Sequence, residues 1–111
     1  MMINVNDIWE DTTLLARHLR TYSMLKIDLL DGPDGLPVIE LRETGKAGLR
    51  NEGHPAVTVK ATEYKWEYKT HMGIRFVGYY NQNPRVVARM VARLASGASP
   101  QEMMDLAGEI A

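Results

Sequence analysis

Near its start the chain repeats apolar side chains at intervals of three and four. Ile8, Thr12, Leu15, Leu19 and Tyr22 fall on one helical stripe, with Trp9 and Ala16 beside it. The spacing predicts a helix capped by Asn6 or Asp7 and reaching Tyr22. Glu10 and Asp11 near its start, and Arg17, His18 and Arg20 near its end, complement the helix dipole. The period then changes to two. From Ser23 to Leu30, residues Leu25, Ile27 and Leu29 share one face and Lys26 and Asp28 the other, as in a half-buried strand. Asp31-Gly32-Pro33-Asp34-Gly35 is a turn. Leu36 to Arg42 returns as a second strand with Ile39 and Leu41 inward. Pro37 cannot donate to a ladder, which suggests an edge position for this strand.

The chain is organised around Tyr64 to Leu94. Tyr64, Trp66 and Tyr68 alternate with Lys65, Glu67 and Lys69, and a second arm runs from Ile74 to Tyr80. A three-residue loop, His71-Met72-Gly73, puts Gly73 where φ must be positive. That register sets Tyr68 opposite Phe76, Trp66 opposite Gly78 and Tyr64 opposite Tyr80, with a large ring lying over the glycine. Lys65, Glu67, Lys69, Arg75 and Tyr79 take the other face. The aromatic face is read as core, with a stacking platform as the sharper alternative. Upstream, a strand beginning at Val57 points Val57 and Val59 inward. Inward parity is odd there and even from Tyr64 to Tyr68, so a bulge or bend is expected near Ala61 to Glu63, in one bent strand or two short ones.

Asn83 caps the next helix and Pro84 sits in its first turn, where the missing N–H costs nothing. Val87, Met90, Val91 and Leu94 form its apolar stripe, and Gly97 closes it. Ser99-Pro100-Gln101-Glu102 is a capping box that opens a last short helix with Met103, Leu106, Ala107 and Ile110 on its apolar face. The expected fold is one α+β domain over residues 1–111. An N-terminal helix precedes an antiparallel sheet of about four strands, then two C-terminal helices, all packed mainly on one face (order α-β-β-β-β-α-α).

Composition narrows the function classes. The 111 residues carry 13 basic and 14 acidic side chains, a formal charge of −1, which argues against a generally nucleic-acid-coating or membrane-surface protein. There are no cysteines, so disulfides, thiol catalysis and Cys-ligated metal sites are excluded. The first residues lack a basic stretch followed by an apolar one, and no apolar run approaches a membrane span, so the expected location is the cytoplasm.

Catalytic signals are few. His18, His54 and His71 lie in different elements without ligand spacing, so no metal is expected. Gly45-Lys46 is not a phosphate loop, because Glu40 and Ala47 stand where a glycine and a hydroxyl belong. Thr44 to Pro55 reads as a glycine-rich basic loop. Glu63 and His71 are the carboxylate–imidazole pair that the hairpin region could bring together. No catalytic residue and no cofactor is assigned, and an enzyme is the less favoured class. The order helix, strands, helix is similar to that of double-stranded-RNA-binding domains. The second helix opens with Asn83-Pro84-Arg85-Val86-Val87 rather than with lysines, so no residue carries over.

The most organised polar feature is Arg85, Arg89 and Arg93, on one side of the helix 84–96 with no acidic residue between Pro84 and Leu94. Together with Lys46, Arg50 and Arg75 they are the expected partner-binding residues. The reading is a small non-enzymatic regulatory, inhibitor or immunity-type protein that binds a protein partner. A homodimer through the strand Leu36 to Arg42 or the last helix is a further expectation. The alternative is nucleic-acid binding by the arginine face, and a third reading places a small molecule beneath the helices, lined by Trp66, Phe76 and Tyr80.

Overall fold

The structure, a computed structural model, describes residues 4–44, 54–96 and 101. Helix α1 runs Val5–Leu19. It starts earlier than its stripe implied, because Asn4 rather than Asn6 or Asp7 is the cap: its side chain accepts from the Asn6 N–H at 2.8 Å. It stops before Tyr22, where Thr21 turns its N–H and its hydroxyl onto the His18 carbonyl. Strands follow at Leu25–Asp31 (β1), Pro37–Glu43 (β2), Val57–Ala61 (β3), Lys65–Thr70 (β4) and Arg75–Tyr79 (β5), and α2 spans Pro84–Ala95.

The fold is α+β, and its sheet has five antiparallel strands in sequence order, one more than expected. The extra strand comes from the parity change after Val59. The chain does not bend there; it reverses. Thr62 N–H donates to the Lys65 carbonyl, and the Thr62 hydroxyl both donates to that carbonyl and accepts from the Lys65 N–H. Of the two expected readings, two short strands is the one that holds, and a side-chain-held turn rather than a bulge joins them. It also puts Tyr64 in the turn, 60% exposed, instead of opposite Tyr80.

Strand β2 lies between β1 and β3, so the edge position expected for Leu36 to Arg42 is wrong, and with it that route to a homodimer. Pro37 is tolerated because it is the first residue of the strand. It stands opposite Asp31 beside the turn, before the ladder to β3 begins at Val38. The edges of the sheet are β1 and β5.

Both helices pack on one face of the sheet and against each other. Helix α1 lies over β1 and β2, and α2 over β2, β3 and β4. Ile8, Leu15 and Leu19 of α1 and Val87 and Val91 of α2 meet Ile39, Leu41, Val57 and Val59 of the central strands, all fully buried. Each such side chain contributes about 1.5–3 kcal/mol of burial. Asn83 caps α2 by accepting from the Arg85 N–H at 3.0 Å, with Pro84 next, as the sequence implied. The expected last helix lies outside the described residues apart from Gln101, as do Gly97 and the Gly45–Gly53 loop. No helix among the described residues is long and apolar enough to cross a membrane.

Candidate functional site

The β4–β5 hairpin has the register that alternation implied: Tyr68 faces Phe76, Trp66 faces Gly78 and Lys69 faces Arg75. Gly73 closes the loop at φ 87°. Trp66 and Tyr68 are each 1% exposed, so they belong to the core and are not a stacking platform. The ring over Gly78 is that of Tyr68, not Trp66: a Cβ at position 78 would run into the Tyr68 hydroxyl, Cζ and Cε1. Trp66 turns instead to Thr12, donating Nε1–H to its hydroxyl oxygen at 2.9 Å, and meets Tyr80 edge-on with ring centroids 4.8 Å apart. The Tyr80 hydroxyl donates to the Thr62 carbonyl, and burial pushes its pKa up to about 12. Burial raises the Tyr68 phenol well above its ordinary range as well. Trp66 and Tyr80, expected to line a small-molecule site beneath the helices, thus pack against each other and the core.

The opposite face of the sheet is covered by no described residue. Its side chains form rows across the strands. One row reads Asp28, Glu40, Thr58, Lys69, Arg75 from β1 to β5, and the next reads Leu30, Val38, Lys60, Glu67, Val77. The face is electrically divided. Toward β1 the charges balance: the Arg42 guanidinium reaches Asp28 at 3.3 Å and Glu40 at 3.1 Å. Toward β5, Lys60, Lys65, Lys69 and Arg75 surround the single carboxylate of Glu67, and none of these four cations has an ion-pair partner among the described residues. This half of the face holds a trough of about 470 Å³ lined by Thr58, Lys60, Glu67, Lys69, Arg75 and Val77.

Backbone geometry fixes what the β5 edge offers. Thr70 N–H donates to the Ile74 carbonyl at 2.9 Å, so Thr70 and Ile74 are a hydrogen-bonded pair. By alternation Phe76 and Gly78 also bond to β4, while Arg75, Val77 and Tyr79 turn their N–H and C=O groups outward. Lys69 and Arg75 are then a non-hydrogen-bonded pair, the closer kind. Two like charges there cost up to about 1 kcal/mol. Tyr79 N–H is taken by the Gln82 side chain at 2.7 Å and its carbonyl by the Gln82 N–H at 3.0 Å. The outward groups of Arg75 and Val77 meet no described residue. Val77 is 45% and Tyr79 49% exposed, and Met72 and Ile74 of the same hairpin are exposed too. The other edge differs: β1 carries Lys26, Asp28 and Asp31 beside an exposed Leu30, and charged side chains along an edge discourage further pairing.

The expected partner-binding residues do not gather into one patch. Arg85, Arg89 and Arg93 are all exposed on α2. Arg75 stands on the uncovered face, so the sheet and the core separate it from them. Lys46 and Arg50 lie outside the described residues. Glu63 and His71 sit at opposite ends of β4, in the turn before it and the loop after it, and do not pair. His71 instead stacks with His54, ring centroids 5.7 Å apart and 22° between planes. Among the described residues no group of three His, Cys, Asp or Glu gathers to hold a metal ion. Sequence reading placed Lys65, Glu67, Lys69, Arg75 and Tyr79 on one face. It missed Thr58 and Lys60 beside them, and the only signal for these was the parity change that marks the β3–β4 reversal. Comparison with models of protein families, with curated proteins and with solved structures finds no match to this chain.

Proposed function

We propose that this is a small non-enzymatic regulatory or inhibitor-type protein that binds a protein partner by adding a strand of that partner to β5. The observation that carries the reading is the asymmetry of the two sheet edges. The β5 edge turns the N–H and C=O groups of Arg75 and Val77 outward and surrounds them with exposed Ile74, Val77 and Tyr79. The β1 edge is fenced by the charges of Lys26, Asp28 and Asp31. An open apolar edge is costly for a protein to keep, because it invites pairing with any extended chain, and an edge retained in that state fits strand addition. The uncovered face beside it supplies side-chain contacts that backbone pairing lacks.

Val77→Pro tests the reading. Its N–H points away from β4, so proline there removes an outward donor while leaving the β4–β5 ladder intact. The expected result is a folded protein with unchanged far-UV circular dichroism. It should fail to retain a partner that the wild-type protein captures from a cell extract, a partner that also slows hydrogen exchange at the Val77 amide. Retention of the same partner by folded Val77→Pro, or capture that leaves the Val77 amide exchanging freely, would refute strand addition.

A further inference from the structure

We infer that the strand received by β5 is an acidic one: an extended segment of another protein that presents a carboxylate beside Arg75 on the uncovered face and an apolar side chain beside Val77. This rests on the strand-addition reading and names the chemistry of the partner.

The argument is charge complementarity along the rows of the sheet. The row that crosses all five strands starts with Asp28 and Glu40 and ends with Lys69 and Arg75 at the open edge. Its acidic end is neutralised by Arg42; its basic end is not neutralised by any described residue. Lys69 and Arg75 stand directly opposite each other, in the arrangement that sheets disfavour. A sixth strand continues the row. Its residue opposite Arg75 lies next in line, and a carboxylate there is within reach of the Arg75 guanidinium and, across it, of Lys69. The next position on that face lies beside Val77, which is apolar and 45% exposed. The trough behind, with Lys60 and the Thr58 hydroxyl, takes a second acidic side chain projecting inward.

The same charges disfavour a second copy of this chain. Pairing β5 with another β5 would bring a second set of four cations and one carboxylate against the first. A single-stranded nucleic acid satisfies the cations but not the outward N–H and C=O groups of Arg75 and Val77, which a peptide backbone answers both at once.

The test uses fluorescein-labelled synthetic peptides in which every second residue is serine and the positions between alternate glutamate with valine, serine with valine, or lysine with valine, so that one face presents both kinds of side chain in turn, and an oligothymidylate of similar length. Each is titrated into the full chain by fluorescence anisotropy at low and moderate salt, with amide exchange at Arg75 and Val77 followed by NMR. The glutamate peptide is expected to bind at least about tenfold tighter than the serine peptide and to weaken with salt. It should protect both amides and lose that advantage in Lys69→Glu and in Arg75→Glu, both exposed positions. Equal binding of the serine and glutamate peptides with Val77 protected would overturn the acidic preference and leave strand addition standing. Absence of protection by any peptide would overturn both. Binding of oligothymidylate tighter than the glutamate peptide, lost in the same two variants, would overturn the inference in favour of nucleic acid.

Discussion

A buried hydrogen bond ties α1 to β4, and its removal has a calculable cost. Trp66 Nε1–H donates to Thr12 Oγ1 at 2.9 Å, with Thr12 fully buried and Trp66 nearly so. Thr12→Val keeps the shape of the side chain and takes away the acceptor. The indole N–H is then left in an apolar interior without a partner, at a cost of about 1–3 kcal/mol. The new methyl group recovers a little, so a net loss of about 2 kcal/mol is expected, against about 5–15 kcal/mol for a whole domain. In urea unfolding followed by far-UV circular dichroism, with m of about 1–2 kcal/mol/M, the midpoint should fall by about 1 M or more at unchanged m. The cause is isolated by repeating the substitution in a Trp66→Phe background, where the donor no longer exists. Thr12→Val should then cost at least about 1 kcal/mol less. Equal costs in the two backgrounds, or a loss below about 0.5 kcal/mol in the wild type, would refute the claim that this bond anchors α1.

Other consequences follow from the same geometry. Gly78→Ala should lower stability by about 1–3 kcal/mol although alanine suits a strand better than glycine, because its Cβ overlaps the Tyr68 ring end. Tyr68→Phe should restore part of the loss, and thermal unfolding of the double variant measures it. Burial, with Asp7 and Glu10 close by, raises the Asp11 carboxyl above its ordinary value of 3.8. The folded state therefore holds that proton more tightly than the unfolded chain, and the associated stability, present below that value, is lost as pH rises through the folded pKa. Asp11→Asn should accordingly raise the melting temperature at neutral pH, and its advantage should shrink toward pH 3.8; equal melting temperatures at neutral pH would contradict this. Charge reversal of Arg85, Arg89 and Arg93 should leave binding of the glutamate–valine peptide within about twofold of wild type, because α2 lies across the core from the trough. A larger loss would return the function to the arginine face of the helix.

Where the governing physics is local, the sequence was enough. Asn83 and Pro84 open α2 because a side-chain acceptor and a fixed φ act within one turn of backbone. Gly73 adopts a positive φ because the three-residue loop requires it, and with that loop the whole register from Lys69–Arg75 to Trp66–Gly78 follows. Alternation likewise separated Lys65, Glu67, Lys69 and Arg75 from the core. The α+β class rests on the same local periods.

Alternation tells which residues share a face; it does not tell which strand lies beside which. Pro37 therefore suggested an edge, and only the pairing of β2 with both β1 and β3 made it an interior strand that begins at a harmless position. The β3–β4 reversal escaped notice because Glu63-Tyr64 carries no glycine, proline, asparagine or aspartate; a threonine hydroxyl makes that turn. Where α1 and α2 settle was also a tertiary outcome, and it decided that one face of the sheet is covered by no described residue and that Arg75 parts company with the arginines of α2. The candidate site is built from residues on three strands whose closeness depends on non-local pairing. Periodicity along the chain carries no record of those contacts, because the energy that selects them comes from burying surfaces far apart in sequence.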